Sequence, residues 1–188
     1  MSAPTRHNHV QAAYEAGLVS AQRSVAAAGV IAGLVGGLAM AVVGALLALA
    51  TQVDIWFMPK AIAAVVMGRA AVANPGFDAA PVVVGTLIHF VVSALLGVIY
   101  ALLMSRVLRV TTEYGAPVVG GLVYGALIWL VAYFIVVPLI NPMLQEVYQP
   151  SFIIQNLVYG TVTGIAYMMA RPEMYTYLLR TLRPAAAR

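Results

Sequence analysis

The chain has 188 residues, 63% of them hydrophobic and 9% charged, with a mean hydropathy of +0.94. Soluble domains carry about 25% charged residues, so a shell this poor in charge excludes a water-soluble globular fold and makes lipid the solvent for most of the surface. The net charge of +4 in such a chain points to membrane topology rather than nucleic-acid binding, and the absence of cysteine removes disulfides, thiolate metal sites, iron–sulfur clusters and thiol catalysis.

The first residues, 1–23, form a polar tail in which Val10, Tyr14 and Leu18 recur every four residues. That spacing predicts a short amphipathic helix on the inner face of the membrane. Ala48-Leu49-Ala50 has the small-residue look of a signal-peptide cleavage site, but the apolar run before it starts late and is too long for a signal core. It is read as a first span over about 24–50. Gly29, Gly33, Gly37, Ala41 and Ala45 place small residues along it at four-residue spacing.

The segment from Asp54 differs. Trp56 and Phe57 suit an interface, Pro59 suits a first helical turn, and only eight apolar residues separate Lys60 from Arg69. An interfacial helix over about 58–69 follows, anchored by Trp56, with Lys60 and Arg69 snorkelling to the membrane surface. Asn74-Pro75-Gly76 marks a turn.

Three further spans follow, over about 81–104, 116–140 and 151–170. Pro138 is expected to bend the third, and Arg171-Pro172 ends the fourth. The tail 171–188 carries Met174, Leu178 and Leu182 on one helical face, with Arg180 and Arg183 off that stripe, a pattern that suits an anionic membrane surface.

The expected fold is therefore all-α: one polytopic membrane domain over 1–188, four transmembrane helices in a glycine-packed bundle, an outer interfacial helix and amphipathic inner-face tails. The tails and the loop between spans two and three carry Arg6, Arg23, Arg106, Arg109, Arg171, Arg180, Arg183 and Arg188, whereas the other side has only Lys60 and Arg69. The positive-inside rule then places both termini in the cytoplasm of a prokaryotic inner membrane.

Spans two and four share a pattern. His89, Ser93, Gly97 and Tyr100 match Asn156, Gly160, Gly164 and Tyr167 in spacing, and spans one and three carry Gly33-xxx-Gly37 and Gly121-xxx-Gly125. The chain can be divided into two helical pairs running the same way. Small residues let helix backbones approach closely where lipid supplies no hydrophobic force, so Gly33, Gly37, Gly97, Gly121, Gly125, Gly160 and Gly164 are packing positions. A stripe left over would face lipid, another membrane subunit or a second copy.

Polar groups at membrane depth are few. His89, Ser93, Gln155 and Asn156 form the candidate polar cluster. His89 could be a neutral ring hydrogen-bonded to Ser93, Asn156 or a tyrosine, a ligand to haem or a chlorophyll-type pigment, or part of a proton relay. Asp54 and Glu146 fall in loops, as solvated charges or, with His89, as ligands of a divalent metal. His7 and His9 lie in the tail, and Trp129 sits mid-span as packing. No catalytic constellation, phosphate loop or zinc motif is present, and no span has Asp, Glu, Lys or Arg at its middle.

The run Asp54-Ile55-Trp56-Phe57-Met58-Pro59-Lys60, with Gly85-xxx-His89-Phe90, Gly121-Leu122-Val123-Tyr124-Gly125-xxx-Trp129 and Asn156-Leu157-Val158-Tyr159-Gly160, resembles small four-helix prokaryotic membrane proteins of the YagU type, over about residues 25–170. In that pattern the fourth span often has His where this chain has Asn156. The resemblance implies architecture and no chemistry. The expected role is a non-catalytic accessory subunit of a respiratory or photosynthetic membrane complex, with bound lipid. A small channel or transporter, and a haem or pigment protein using His89, are the alternatives.

Overall fold

A computed structural model describes residues 6–108, 115–146 and 149–170, the side chains of 6–24, 143 and 146 excepted. Helices α1 (Arg6–Ala50), α2 (Phe57–Met67), α3 (Ala79–Val107), α4 (Ala116–Ile140) and α5 (Gln149–Ala170) account for most of it. Four of them, α1 through its segment Val25–Ala50 and α3, α4 and α5 entire, are long and apolar enough to cross a membrane. The chain is a multi-pass α-helical membrane protein.

Several boundaries differ from expectation. The inner-face helix expected in the tail leads into the first span without a break, α1 running from Arg6 to Ala50. Between Arg6 and Ser24 there is a single glycine, Gly17, and no proline interrupts the ladder. At its other end α1 closes with Gln52 at φ 57 and bonds from Val53 N–H to Ala48 O and from Gln52 N–H to Leu49 O. This is a Schellman stop with glutamine where glycine is usual.

Helix α3 gains a final π-turn, Leu103–Val107, and α5 begins at Gln149, because Pro150 is tolerated in a first turn. Pro138 does perturb α4. It lacks an N–H and its ring crowds the carbonyl four residues back, and the turn before it widens into a π-turn, Ala132–Val136. The tail with Arg180 and Arg183 lies outside the described residues.

The bundle is built from pairs. Helix α1 packs on α3 and α4 packs on α5 through the same register. A Cβ on Gly33 would stand 2.9 Å from Gly97 Cα and collide with Ser93 O; a Cβ on Gly121 would stand 3.2 Å from Gly164 Cα and collide with Gly160 O. Gly29 abuts the Gly97 carbonyl, and its positional equivalent Pro117 abuts Gly164. Gly37 meets Ser93, and Gly125 meets the carbonyl of Asn156. The repeat seen in the sequence is thus a repeat of helix-to-helix contact.

Large and small residues divide accordingly. Ala28, Ala32 and Ala101 are buried, while Leu38, Leu46, Leu87 and Leu95 face outward, as expected where backbones must touch and lipid solvates the leucines. Gly33→Val and Gly121→Val should each lower stability in detergent by about 3 kcal/mol or abolish folding, since the new methyls meet backbone rather than a yielding side chain. Leu38→Ala, on the lipid face, should stay within about 0.5 kcal/mol. Thermal midpoints of the purified variants measure this.

Candidate functional site

Two constructions depart from simple apolar packing. The first lies at the α2 end of the bundle. Lys60, expected to snorkel, is instead 1% exposed. Its ammonium donates to Asp54 Oδ2 at 3.1 Å and to the carbonyls of Asn74 and Gly76 at 2.8 Å each, so all its hydrogens are used. Asp54 in turn accepts from Trp56 N–H and Gly76 N–H at 2.9 Å. Asp54 is therefore no free loop charge.

The cation turns inward because the Asn74–Gly76 turn folds back over the first turn of α2 and presents carbonyls that lipid cannot supply. Trp56 packs edge-on against Phe77 with centroids 4.9 Å apart, and Arg69 is exposed in a 3-10 turn after α2. Gly85 lets α2 sit directly on α3, and Asn141 Nδ2 donates to Ala61 O at 2.7 Å, tying α2 to the end of α4.

The second construction is a cleft of about 520 Å³ between α3 and α4, a size within the usual range of small-molecule sites, about 300–1,000 Å³. Its walls are mostly aliphatic. Val92 and Ile99 on α3, and Leu127 and Val131 on α4, line it while remaining exposed, so the cleft opens to the side of the bundle. His89, Ser93 and Asn156 supply polar atoms to its lining.

His89 does not bond Ser93, Asn156 or a tyrosine as expected. Its Nε2 lies 3.0 Å from Gly37 O. A carbonyl only accepts, so Nε2 carries a hydrogen, and in that neutral tautomer Nδ1 is left as an acceptor. Asn156 donates from Nδ2 to Phe152 O at 2.8 Å. Gln155 does not join the cluster: it is buried on the side of α5 that faces α1, with its amide filling the space beside Gly44.

The cleft exists because the two pairs meet unequally. With α1 aligned on α4 and α3 on α5 through the shared register, the α1–α5 and α3–α4 faces are equivalents. Helix α1 packs closely on α5, with Gly36 against Thr163 and the carbonyl of Tyr159. The residue equivalent to Gly36 on α4 is Tyr124. Its ring stands between α4 and α3, and its hydroxyl donates to Leu96 O at 2.9 Å. Tyr100 crosses the same gap to bond Pro117 O. The candidate residues chosen for polarity omitted Tyr124. Its signal was available only by setting span three on span one, where tyrosine stands in place of glycine.

No protein family, curated protein or solved structure matches the chain. Among the described residues no group of three His, Cys, Asp or Glu is placed to hold a metal ion. Of the three residues that could form a divalent-metal set, Asp54 is committed to Lys60, His89 lies in the cleft, and the Glu146 side chain falls outside the described ones.

Burial pushes the Asp54 carboxyl up, and the N–H groups of Trp56 and Gly76 with the Lys60 ammonium outweigh it, so its pKa lies below the ordinary range. A depressed folded pKa adds stability above the unfolded value, about 3.9, that is lost as pH falls through the folded value. In a Trp129→Phe background, Trp56 fluorescence should report an acid transition of the α2 cap below about pH 3.9. Asp54→Asn should flatten that profile and cost about 3 kcal/mol, because the Lys60 ammonium is left buried without its counter-charge.

Proposed function

We propose that this chain is a non-catalytic accessory subunit of a larger membrane complex, respiratory or photosynthetic, that holds its neighbours in place. The observation that carries this reading is how the polar side chains at helix junctions are spent. Tyr100, Tyr124, Tyr159, His89 and Asn141 all reach across to main-chain carbonyls of another helix, those of Pro117, Leu96, Ser93, Gly37 and Ala61. Such bonds fix helices against one another. A pump or ion-coupled carrier needs ionisable groups at membrane depth and contacts that exchange between states, and the spans hold no Asp, Glu, Lys or Arg at their middles.

The charge distribution supports a prokaryotic cytoplasmic membrane with both termini inside, so that α2 and its Lys60 cage face outward. The YagU-type resemblance fits the same architecture and brings no chemistry with it. Membrane lipids solvate the leucine faces, and the remaining small-residue surface would meet other subunits or a second copy.

A small channel or transporter is the second reading, favoured by the open α3–α4 cleft. For a haem or chlorophyll-type pigment on His89, the ring could ligate only through Nδ1 unless it gave up its bond to Gly37.

Purification from native membranes in mild detergent should yield a stoichiometric set of co-eluting membrane chains, identified by mass spectrometry. A stable monodisperse monomer that brings nothing with it would sink the accessory-subunit reading. An absorption spectrum of the same sample tests the pigment alternative directly. Flux in proteoliposomes that falls in His89→Ala would favour the transporter instead.

A further inference from the structure

We infer that the cleft between α3 and α4 is a binding site for a neutral lipid: a single long apolar chain bearing a hydroxyl group that donates a hydrogen bond to His89 Nδ1. The inference stands independently of the accessory role, since a chain with no protein partner could hold such a lipid.

The shape argues for a chain. On α3 the lining runs from Ile88 to Leu103, about 22 Å at 1.5 Å per residue. Exposed aliphatic side chains of both walls leave the long side open to the bilayer, so a lipid can enter without passing through water.

The chemistry argues for a neutral headgroup. Among the described residues no Asp, Glu, Lys or Arg lines the cleft, and a phosphate or carboxylate placed there would be desolvated without a partner. Depth excludes an ordinary phospholipid headgroup as well. His89 stands ten residues into α3, about 15 Å from its α2 end and inside a hydrocarbon core about 30 Å thick.

The sign of the hydrogen bond follows from the ring. Because Nε2–H is held by Gly37 O, the ring of this cleft-lining residue has its lone pair left on Nδ1. The ligand must therefore bring the hydrogen, as an alcohol or quinol does and an ether or ester does not. Asn156 lines the same cleft and has an amide oxygen and a second amide hydrogen to complete the contact.

The opening is built in rather than left over. The equivalent α1–α5 face is closed by Gly36, while Tyr124, anchored to Leu96 O, props α4 off α3. Two π-turns border the opening diagonally: Leu103 begins one, and Ala132 and Val136 bound the other, where local widening of a helix commonly marks a ligand site.

The test uses the purified full chain in phosphatidylcholine nanodiscs, with diazirine-tagged hexadecanol and its methyl ether as probes. After irradiation, mass spectrometry maps the adducts. The alcohol should label the peptides around Leu96 and Ile128 about fivefold more than the ether, the effect of one net hydrogen bond. His89→Phe should bring the two probes to parity, and Leu96→Trp should remove cleft labelling by both.

Equal labelling by alcohol and ether in the wild type overturns the proposed recognition. Labelling no denser at Leu96 and Ile128 than at Leu46 and Leu87 on the outer faces overturns the cleft as a site, including the case where a second copy covers it. Both comparisons are made on the wild type, so they hold even if a variant fails to fold.

Discussion

Close approach of two backbones at glycine is the constraint on which this fold depends. In lipid, burying a leucine between helices gains little over leaving it in the bilayer, so association rests on dispersion between surfaces that fit and on hydrogen bonds that lipid cannot replace. The contact of Gly33 with Gly97 and that of Gly121 with Gly164 are the same device used twice. Each brings main-chain atoms within van der Waals range, and carbonyls near the junctions accept a further hydrogen bond from tyrosine hydroxyls of the other pair.

The number of spans, their approximate limits and the short helix between the first two were legible in the sequence because each depends on one-dimensional signals: apolar length, proline position, flanking arginine. The fate of single polar groups was not. Lys60 looked like a snorkelling cation since its neighbours in sequence are apolar. Its partners, Asn74 and Gly76, are main-chain carbonyls that carry no mark in a residue code. His89 stands out in the sequence as the one histidine within a span, but its acceptor is again a carbonyl, Gly37, on a helix whose register against α3 only the packing reveals. Gln155 and Asn156 are adjacent in sequence and therefore about 100° apart around α5, which is enough to send one to the α1 face and the other to the cleft.

A chain built from two like pairs has two like inter-pair faces, and symmetry alone would make both closed or both open. Tyr124 in place of a glycine makes them differ. The closed face carries buried Thr163 and Gln155, where the open one has Leu96 and Ile88. Stability and accessibility are thereby assigned to different sides of one bundle, and the side facing lipid can be shaped with little disturbance to the side that holds the fold.

The Lys60 cage has a consequence for the order of assembly. Its bonds join residues separated by 6, 14, 16 and 22 positions, whereas the Asn141–Ala61 bond closes a separation of 80. Loop-closure entropy rises with separation, so the cage is among the first non-helical contacts a growing chain can make. It neutralises the one lysine of the chain before the third span has been synthesised. Helices α2 and α3 would then meet the rest of the bundle as a preformed corner, and α4 completes it by latching onto a carbonyl already in position.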